Sequence, residues 1–302
     1  PGGTMLFSKN PDLFLPGKWP AYFSKSKGCK LWDLDNNKYD DIAYMGNGTN
    51  VLGYCHPEIE KKVSKVIKNG TISTLNSIEE ILLAEKLVSL HPWSEMVRFT
   101  RSGGEANAVA IRIARAASGR DKVAVCGYHG WHDWYMSTNI DNKNNLNTHL
   151  MNNLPINGVP KNLKNTVFPF EYNNFKQLSK IVKMHKIGVI KMEVKRISEP
   201  KNNFLQKIRK LATENNIVLI FDECTSGFRQ TFGGLHKFYN VEPDLAIFGK
   251  ALGNGYAINA VIGRRAVMEH ANHSFISSTF WTERVGPSAA LETLKIMEKN
   301  KS

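Results

Sequence analysis

Val218-Leu219-Ile220-Phe221-Asp222-Glu223-Cys224 is a short apolar run closed by two acids, and Leu245-Ala246-Ile247-Phe248-Gly249-Lys250 is a second, closed by a lysine. Apolar runs of this length without polar alternation suit strands buried on both faces of a parallel sheet. Phe204–Asn215 has helical periodicity and supplies a crossover before the Val218 run. Working outward, Met96–Phe99, Val123–Cys126 and Gly188–Met192 are further strand candidates, and Gly104–Ala117, rich in Ala and Arg, is a helix. The order predicts an α/β fold with a mostly parallel sheet covered by helices on both faces. Ligands of such sheets bind beyond the carboxyl ends of the strands. The unusual residues of this chain cluster there.

The N-terminal part reads differently. Trp32 to Asp40 is a strand, a tight Asn36-Asn37 turn and a returning strand. From His56-Pro57 the pattern turns helical, with Ile59, Val63, Val66 and Ile67 on one face. Ser77 begins a second helix, with Glu80 as a capping-box partner.

At 302 residues the chain can bury roughly 75% of its unfolded surface, so it needs no disulfide or metal staple. Its four cysteines, Cys29, Cys55, Cys126 and Cys224, form no CxxC pair and read as reduced thiols. No apolar run approaches the ~20 residues of a membrane span. The net charge of +13 comes from Lys and Asn spread along the whole chain, not from one basic stripe with interleaved aromatics, so neither a nucleic acid nor a membrane partner is expected. Pro1-Gly2-Gly3-Thr4 offers no initiator Met and no signal-peptide core. It reads as a fragment or a processed start, and the expected compartment is the cytoplasm.

Four stretches could carry chemistry. Thr100-Arg101-Ser102-Gly103-Gly104-Glu105-Ala106 joins a strand to a helix; its glycines, the Ser102 hydroxyl and the helix N-terminus could cradle a phosphate. It is neither GxGxxG nor a P-loop. Gly127-Tyr128-His129-Gly130 exposes an aromatic platform and an imidazole at a strand end. Asp222 and Glu223 could face a cation, bind Mg²⁺ as a pair, or cap a loop. Lys250, at a strand end before a Gly-rich turn, has the desolvated setting that makes an amine nucleophilic. Each alone has an ordinary structural explanation. Together, in this order, they are the parts that pyridoxal phosphate requires.

The stretches SGGEANAVAIRIARAASGRDKV, GYHGWHD, IFDECTSGFRQTFGG and PDLAIFGKALGNGYAINAVIGRR, with WDLDNNKYDDI and LGYCHPEI, resemble the class III pyridoxal-phosphate aminotransferases. Within them they are most similar to the glutamate-1-semialdehyde aminomutases. The resemblance covers nearly the whole chain and implies a fold-type I enzyme that transfers amino groups through a Lys250 Schiff base. By the same resemblance Asp222 pairs with the ring nitrogen, Ser102, Gly103 and Gly104 hold the phosphate, and Tyr128 stacks on the ring. Cys224 lies behind the ring, and Glu193 and His129 lie near the substrate. A threonine reaches the phosphate of a neighbouring subunit, with Thr282 and Thr279 both candidates. The implied partners are a small-molecule amino donor, a carbonyl acceptor and a second copy sharing its active sites; no metal is implied. The expected division is an N-terminal segment with a β-hairpin over 1–55, a large cofactor-binding domain over 56–285, and the start of a C-terminal domain, cut short, over 286–302.

Two departures bear on substrate. The aminomutases carry an Arg soon after a Pro-Gly-Gly opening, where this chain has TMLFSKNPDLF. Their Gly/Ser-rich gating loop is replaced by the Asn-rich 139–153 stretch. Both weaken glutamate-1-semialdehyde as the substrate, and the missing Arg favours another amine, amino sugar or ω-amino acid. Closure at Ser302, where the family continues into a small α/β domain, leaves a fragment or an inactive homologue as further readings.

Overall fold

The computed structural model describes residues 4–43, 45–149 and 151–300; the Pro1-Gly2-Gly3 opening and Ser302 lie outside them. Near the N-terminus, strands β1 (Phe23–Lys27), β2 (Lys30–Asp33) and β3 (Lys38–Asp40) form an antiparallel sheet. The turn between β2 and β3 is organised by Asp33, which accepts the Asp35 and Asn37 amides at 2.9 Å each. Asn36 takes the left-handed conformation there, as Asn tolerates.

The main sheet has seven strands, in the order β4 (Met96–Thr100), β10 (Asn259–Gly263), β9 (Leu245–Phe248), β8 (Val218–Glu223), β7 (Ile187–Glu193), β5 (Lys122–Cys126) and β6 (Val167–Pro169). The five strands from β9 to β6 are parallel. β10 runs antiparallel to both β4 and β9. Every residue of β7 and β8 is buried, which is why their sequences do not alternate.

Six longer helices cover the sheet: α1 (Pro57–Lys68), α2 (Ile78–Leu90), α3 (Gly103–Ser118), α4 (Phe175–Met184), α5 (Phe204–Glu214) and α6 (Val285–Lys299). One face packs under α3, where Ala106, Ala110, Ile113 and Ala114 meet Val123, Val125, Ile220 and Ile247. The other packs under α4 and α5 through Leu178, Leu205, Ile208, Ile190 and Phe221. Each such fully buried aliphatic or Phe side chain contributes about 1.5–3 kcal/mol. α6 closes α1 and α2 onto the sheet edge: Ile296 and Ala289 cluster with Ile59 and Val63, and Leu294 with Leu83 and Leu87.

Two local expectations fail. Ile67 is exposed, because only Ile59, Val63 and Val66 fall on the buried stripe of α1. Ser77 precedes α2, but its hydroxyl meets the Glu80 carboxylate at 3.4 Å instead of a backbone amide. The capping box occurs at α3, between Ser102 and Glu105. The 139–153 stretch is mostly turns, with Leu146 and His149 buried. All four cysteines are free, and no helix among the described residues is long and apolar enough to cross a membrane.

Candidate active site

The carboxyl ends of β5, β7, β8 and β9, with the start of α3, bring the chemical residues together. Asp222 and Glu223 are neighbours on β8, but the two-residue period sends them to opposite faces. Glu223 is buried among the amides of Leu235 and His236 and the His236 ring. Its work is to fold the 226–237 loop, and the two acids do not share a cation.

Asp222 lies on the α3 side and is 3% exposed. Its Oδ1 accepts the Cys224 amide at 3.1 Å, and its Oδ2 accepts His129 Nδ1–H at 2.9 Å. Lys191 Nζ, fully buried in the middle of β7, stands 3.8 Å from the same Oδ2. Burial alone would push the Asp222 carboxyl up, but the Lys191 charge and the His129 hydrogen bond outweigh it and hold it well below the usual carboxylate range. Burial pushes the His129 ring down to about 4, so it stays neutral, with the proton on Nδ1. Its Nε2 and the Lys191 Nζ are buried without a hydrogen-bond partner among the described residues.

Lys250 lies two residues beyond the end of β9. Its φ of 43° is left-handed, an uncommon setting for a side-chain-bearing residue that fixes the direction of the stem. Nζ donates to Thr225 Oγ1 at 3.0 Å. Burial pushes its ammonium down, towards the nucleophilic free amine. Cys224, after β8, lies between this lysine and the α3 turn: Asn259 Nδ2 donates to its Sγ at 3.4 Å, and a Cβ on Gly103 would stand 3.6 Å from that sulfur. A Cβ on Gly249 would lie 2.0 Å from Asn259 Nδ2, so the lysine's predecessor must be glycine for this packing.

At the turn before α3, the Glu105 carboxylate accepts the Arg101 and Ser102 amides at 2.9 Å each. Ser102 Oγ accepts the Glu105 amide at 3.4 Å, leaving its hydroxyl proton to give. Gly103 and Gly104 supply the next amides, ahead of the helical ladder. The Tyr128 loop closes over this turn. A Cβ on Gly130 would stand 3.1 Å from the Gly104 Cα, and Gly127 leaves room for the Glu193 carboxylate. Glu193 accepts the Tyr128 amide and Arg196, both at 3.0 Å, and burial raises its carboxyl. The Arg196 guanidinium also lies 5.9 Å from the Tyr128 ring centre.

Thr279 and Thr282 are exposed, on one turn where Thr282 Oγ1 donates to the Thr279 carbonyl at 3.0 Å. Arg101 ties this turn to the α3 end by donating to the Trp281 carbonyl at 3.0 Å and to that of Glu283. Neither hydroxyl bonds to Ser102, Gly103 or Gly104 among the described residues.

Lys191, Arg196, Asn259 and Glu105 escaped the sequence reading. Lys191 left one signal, a lone charge inside the apolar Ile187–Met192 run. Asn259 left none, because its role depends on a reversed strand.

This arrangement fits pyridoxal phosphate. A glycine turn at a helix N-terminus, a carboxylate kept charged with polar atoms unsatisfied around it, and an amine beyond the adjacent strand all lie at the carboxyl ends of the parallel strands.

The family model for class III aminotransferases matches residues 16–302. A 3-aminobutyryl-CoA aminotransferase from Cloacimonas acidaminovorans is 36% identical over 311 aligned positions, covering 100% of this chain and 70% of that protein. A glutamate-1-semialdehyde 2,1-aminomutase from Methanobrevibacter smithii is 33% identical, covering 99% of this chain and 70% of that one. Among solved structures, the internal aldimine form of the FumI protein from Sphingopyxis superposes with a TM-score of 0.82 at 28% identity, covering 94% of this chain and 67% of that one. An omega-transaminase from Sphaerobacter thermophilus gives a TM-score of 0.82 at 25% identity, with 95% and 70% covered.

Proposed function

The chain belongs to the class III aminotransferases, and from that premise we propose that it moves an amino group between a small-molecule amine and a carbonyl acceptor, with Lys250 and Asp222 as its catalytic residues. It is a pyridoxal-phosphate-dependent enzyme of fold type I. The observation that carries the proposal is the buried Asp222, held as an anion at the end of β8 and next to the strand that delivers Lys250.

When bound, pyridoxal phosphate supplies an aldehyde that condenses with amines and a ring that accepts the electron pair left at the substrate carbon. The chain's residues do the rest. Gly103, Gly104 and the Ser102 hydroxyl hold the phosphate at the positive end of α3. Tyr128 would stack on the ring, and Cys224 would pack against it. Asp222 would hold the ring nitrogen and its proton, with His129 fixing the carboxylate's orientation. Lys250 would hold the aldehyde. Its Nζ would take a proton from the substrate carbon that bears nitrogen. A depressed ammonium suits that task, since a general base works best with a pKa near the ambient pH.

The substrate reading follows the residues that bind carboxylates. The stretch after the opening, Thr4 to Phe14, holds no arginine. We therefore place glutamate-1-semialdehyde behind other amines, amino sugars and ω-amino acids. Exposed Phe275, Phe280 and Trp131 lie on or beside the elements that flank the phosphate turn. With the exposed Thr279 and Thr282 they support a homodimer in which that turn serves the partner's site.

The test is a half-reaction screen. The purified chain, loaded with pyridoxal phosphate, is mixed with single amines and followed by absorbance for conversion of the cofactor to its amine form. Conversion with at least one amine is the expected result. No conversion across all classes would remove the transaminase reading. Fast production of 5-aminolevulinate from glutamate-1-semialdehyde would restore the aminomutase one.

A further inference from the structure

Lys191 is the most anomalous residue of the core. Its side chain is completely buried, and its Nζ has no hydrogen-bond partner among the described residues. It sits mid-strand, opposite Val125 of β5 and Ile220 of β8, where an apolar side chain would pack at no electrostatic cost. Burial pushes the Lys191 ammonium down, so its charge in such a place depends on a counter-charge that pushes it back up. It has one: Asp222 Oδ2 at 3.8 Å, a distance suited to charge attraction and too long for a hydrogen bond.

We propose that Lys191 is a positioning residue, a buried ammonium that keeps Asp222 ionised in the chain itself and then competes with the cofactor ring nitrogen for that carboxylate. The second half rests on the function proposed above; the first does not. The titratable groups facing Lys191 are Asp222 and Cys224 from the β8 end, Glu193 from its own strand and His129 from the loop after β5. Asp222 is the one anion in contact, and His129 is neutral.

The consequence is a moderated electron sink. With an apolar residue at 191, a ring nitrogen facing Asp222 would meet an undivided negative charge and hold its proton strongly. With Lys191 charged, part of that attraction is cancelled and the ring gives up its proton at lower pH. An ordinary structural lysine would affect the melting temperature and leave the ring untouched.

The experiment has two arms. In the first, the cofactor-free chain is labelled with ¹³C-lysine, and the Lys191 ε-carbon signal is identified by its loss in Lys191→Met. At pH 7 the signal should sit at the position of a charged lysine; the position of a neutral amine would overturn the proposal. In the second, pyridoxal phosphate carrying ¹⁵N in the ring is added to wild type, Lys191→Met and Lys191→Gln, and the ring nitrogen is titrated by NMR. Both variants should hold the ring proton about tenfold more tightly than wild type, a shift of about one pH unit. Coincident titrations would overturn the proposal. Either variant alone suffices, so a folding failure of one leaves the comparison intact. If wild type bound no pyridoxal phosphate, the proposed function and the second half of this inference would fall, and the first arm would still decide whether Lys191 is charged.

Discussion

Gly130 rests on Gly104. A Cβ added to Gly130 would stand 3.1 Å from the Gly104 Cα, and Gly130 already holds a φ of 94°. The loop bearing Tyr128 and His129 thus touches the turn that begins α3, backbone against backbone. Gly130→Ala must strain its own φ and lift the loop by a few tenths of an ångström. We expect a stability loss of about 1–2 kcal/mol and a weaker hold on pyridoxal phosphate. Melting curves and cofactor titration check this; unchanged affinity would separate the loop from the cofactor site.

Lys250→Ala should leave the fold intact, since among the described residues its amine bonds to Thr225 alone, in an exposed contact. Borohydride reduction followed by peptide mapping should fix pyridoxal phosphate to wild type at this lysine and leave the variant unlabelled. Label found at Lys191 or elsewhere in the variant would move the covalent role to another amine.

Asp222→Asn tests two things at once. Loss of the carboxylate strips Lys191 of its counter-charge, so the variant should lose about 3 kcal/mol of stability. It should also remove the substrate proton several orders of magnitude more slowly, because the electron sink matters most in the transition state. Adding Lys191→Met should restore the melting temperature and leave proton removal slow in single-turnover kinetics. A double variant with restored chemistry would reduce Asp222 to a structural partner of Lys191.

Acid should act early on this protein through two neutral histidines. Burial pushes His91 down to about 3 and His129 to about 4, each from an ordinary value of 6.5. The unfolded chain therefore takes up protons below pH 6.5 that the folded chain refuses. Stability from these rings is complete above pH 6.5 and drains away as the pH falls towards 4 and then 3. His91 Nε2 accepts the Gly234 amide at 2.9 Å, a bond its protonation would break. Denaturant unfolding from pH 7 to 5 should show the loss, and His91→Gln should lower the slope by about one proton. An unchanged slope would mean that His91 is charged in the folded protein.

If Thr279 or Thr282 serves a second copy, inactive variants should rescue one another. Lys250→Ala mixed with the relevant Thr→Val variant would rebuild one complete site per hybrid dimer. We expect recovery up to about a quarter of wild-type activity, for only one of the two threonines. The statistical mixing of protomers sets that ceiling. No recovery with either would confine the site to one chain.

The central strands and the clustering of unusual residues at their ends were legible in the sequence because burial on both faces writes itself as unbroken apolar runs. The runs at Val218 and Leu245 begin where the strands begin. β10 was not legible: it is buried on both faces like its neighbours, but its direction depends on contacts with β4 and β9 that no local pattern records. Ser77 and Ser102 show the same limit. Both are followed three residues later by a glutamate, and only at Ser102 do side chain and backbone close the reciprocal box. Composition could not say that Asp222 and Glu223 work on different faces, although their adjacency in a strand implies it. Lys191 was hidden by expectation: one charge in an apolar run looks like an edge position until a neighbouring strand brings Asp222 alongside.

The reversed direction of β10 has a mechanical result. Parallel neighbours need a crossover of a dozen residues or more, whereas antiparallel neighbours can be joined by a short connection. Lys250 lies in the short connection 249–258, clamped between β9 and β10 and bonded across to the N-terminal part through Asn254, whose Oδ1 accepts the Leu52 amide at 2.9 Å. It cannot swing as a loop residue would. A proton carried by this amine would be moved by rotation of the four-carbon stem. In the proposed function the amine would act as a short crank on a fixed bearing: small in reach and nearly free of the backbone entropy that a mobile loop would have to surrender at every turnover.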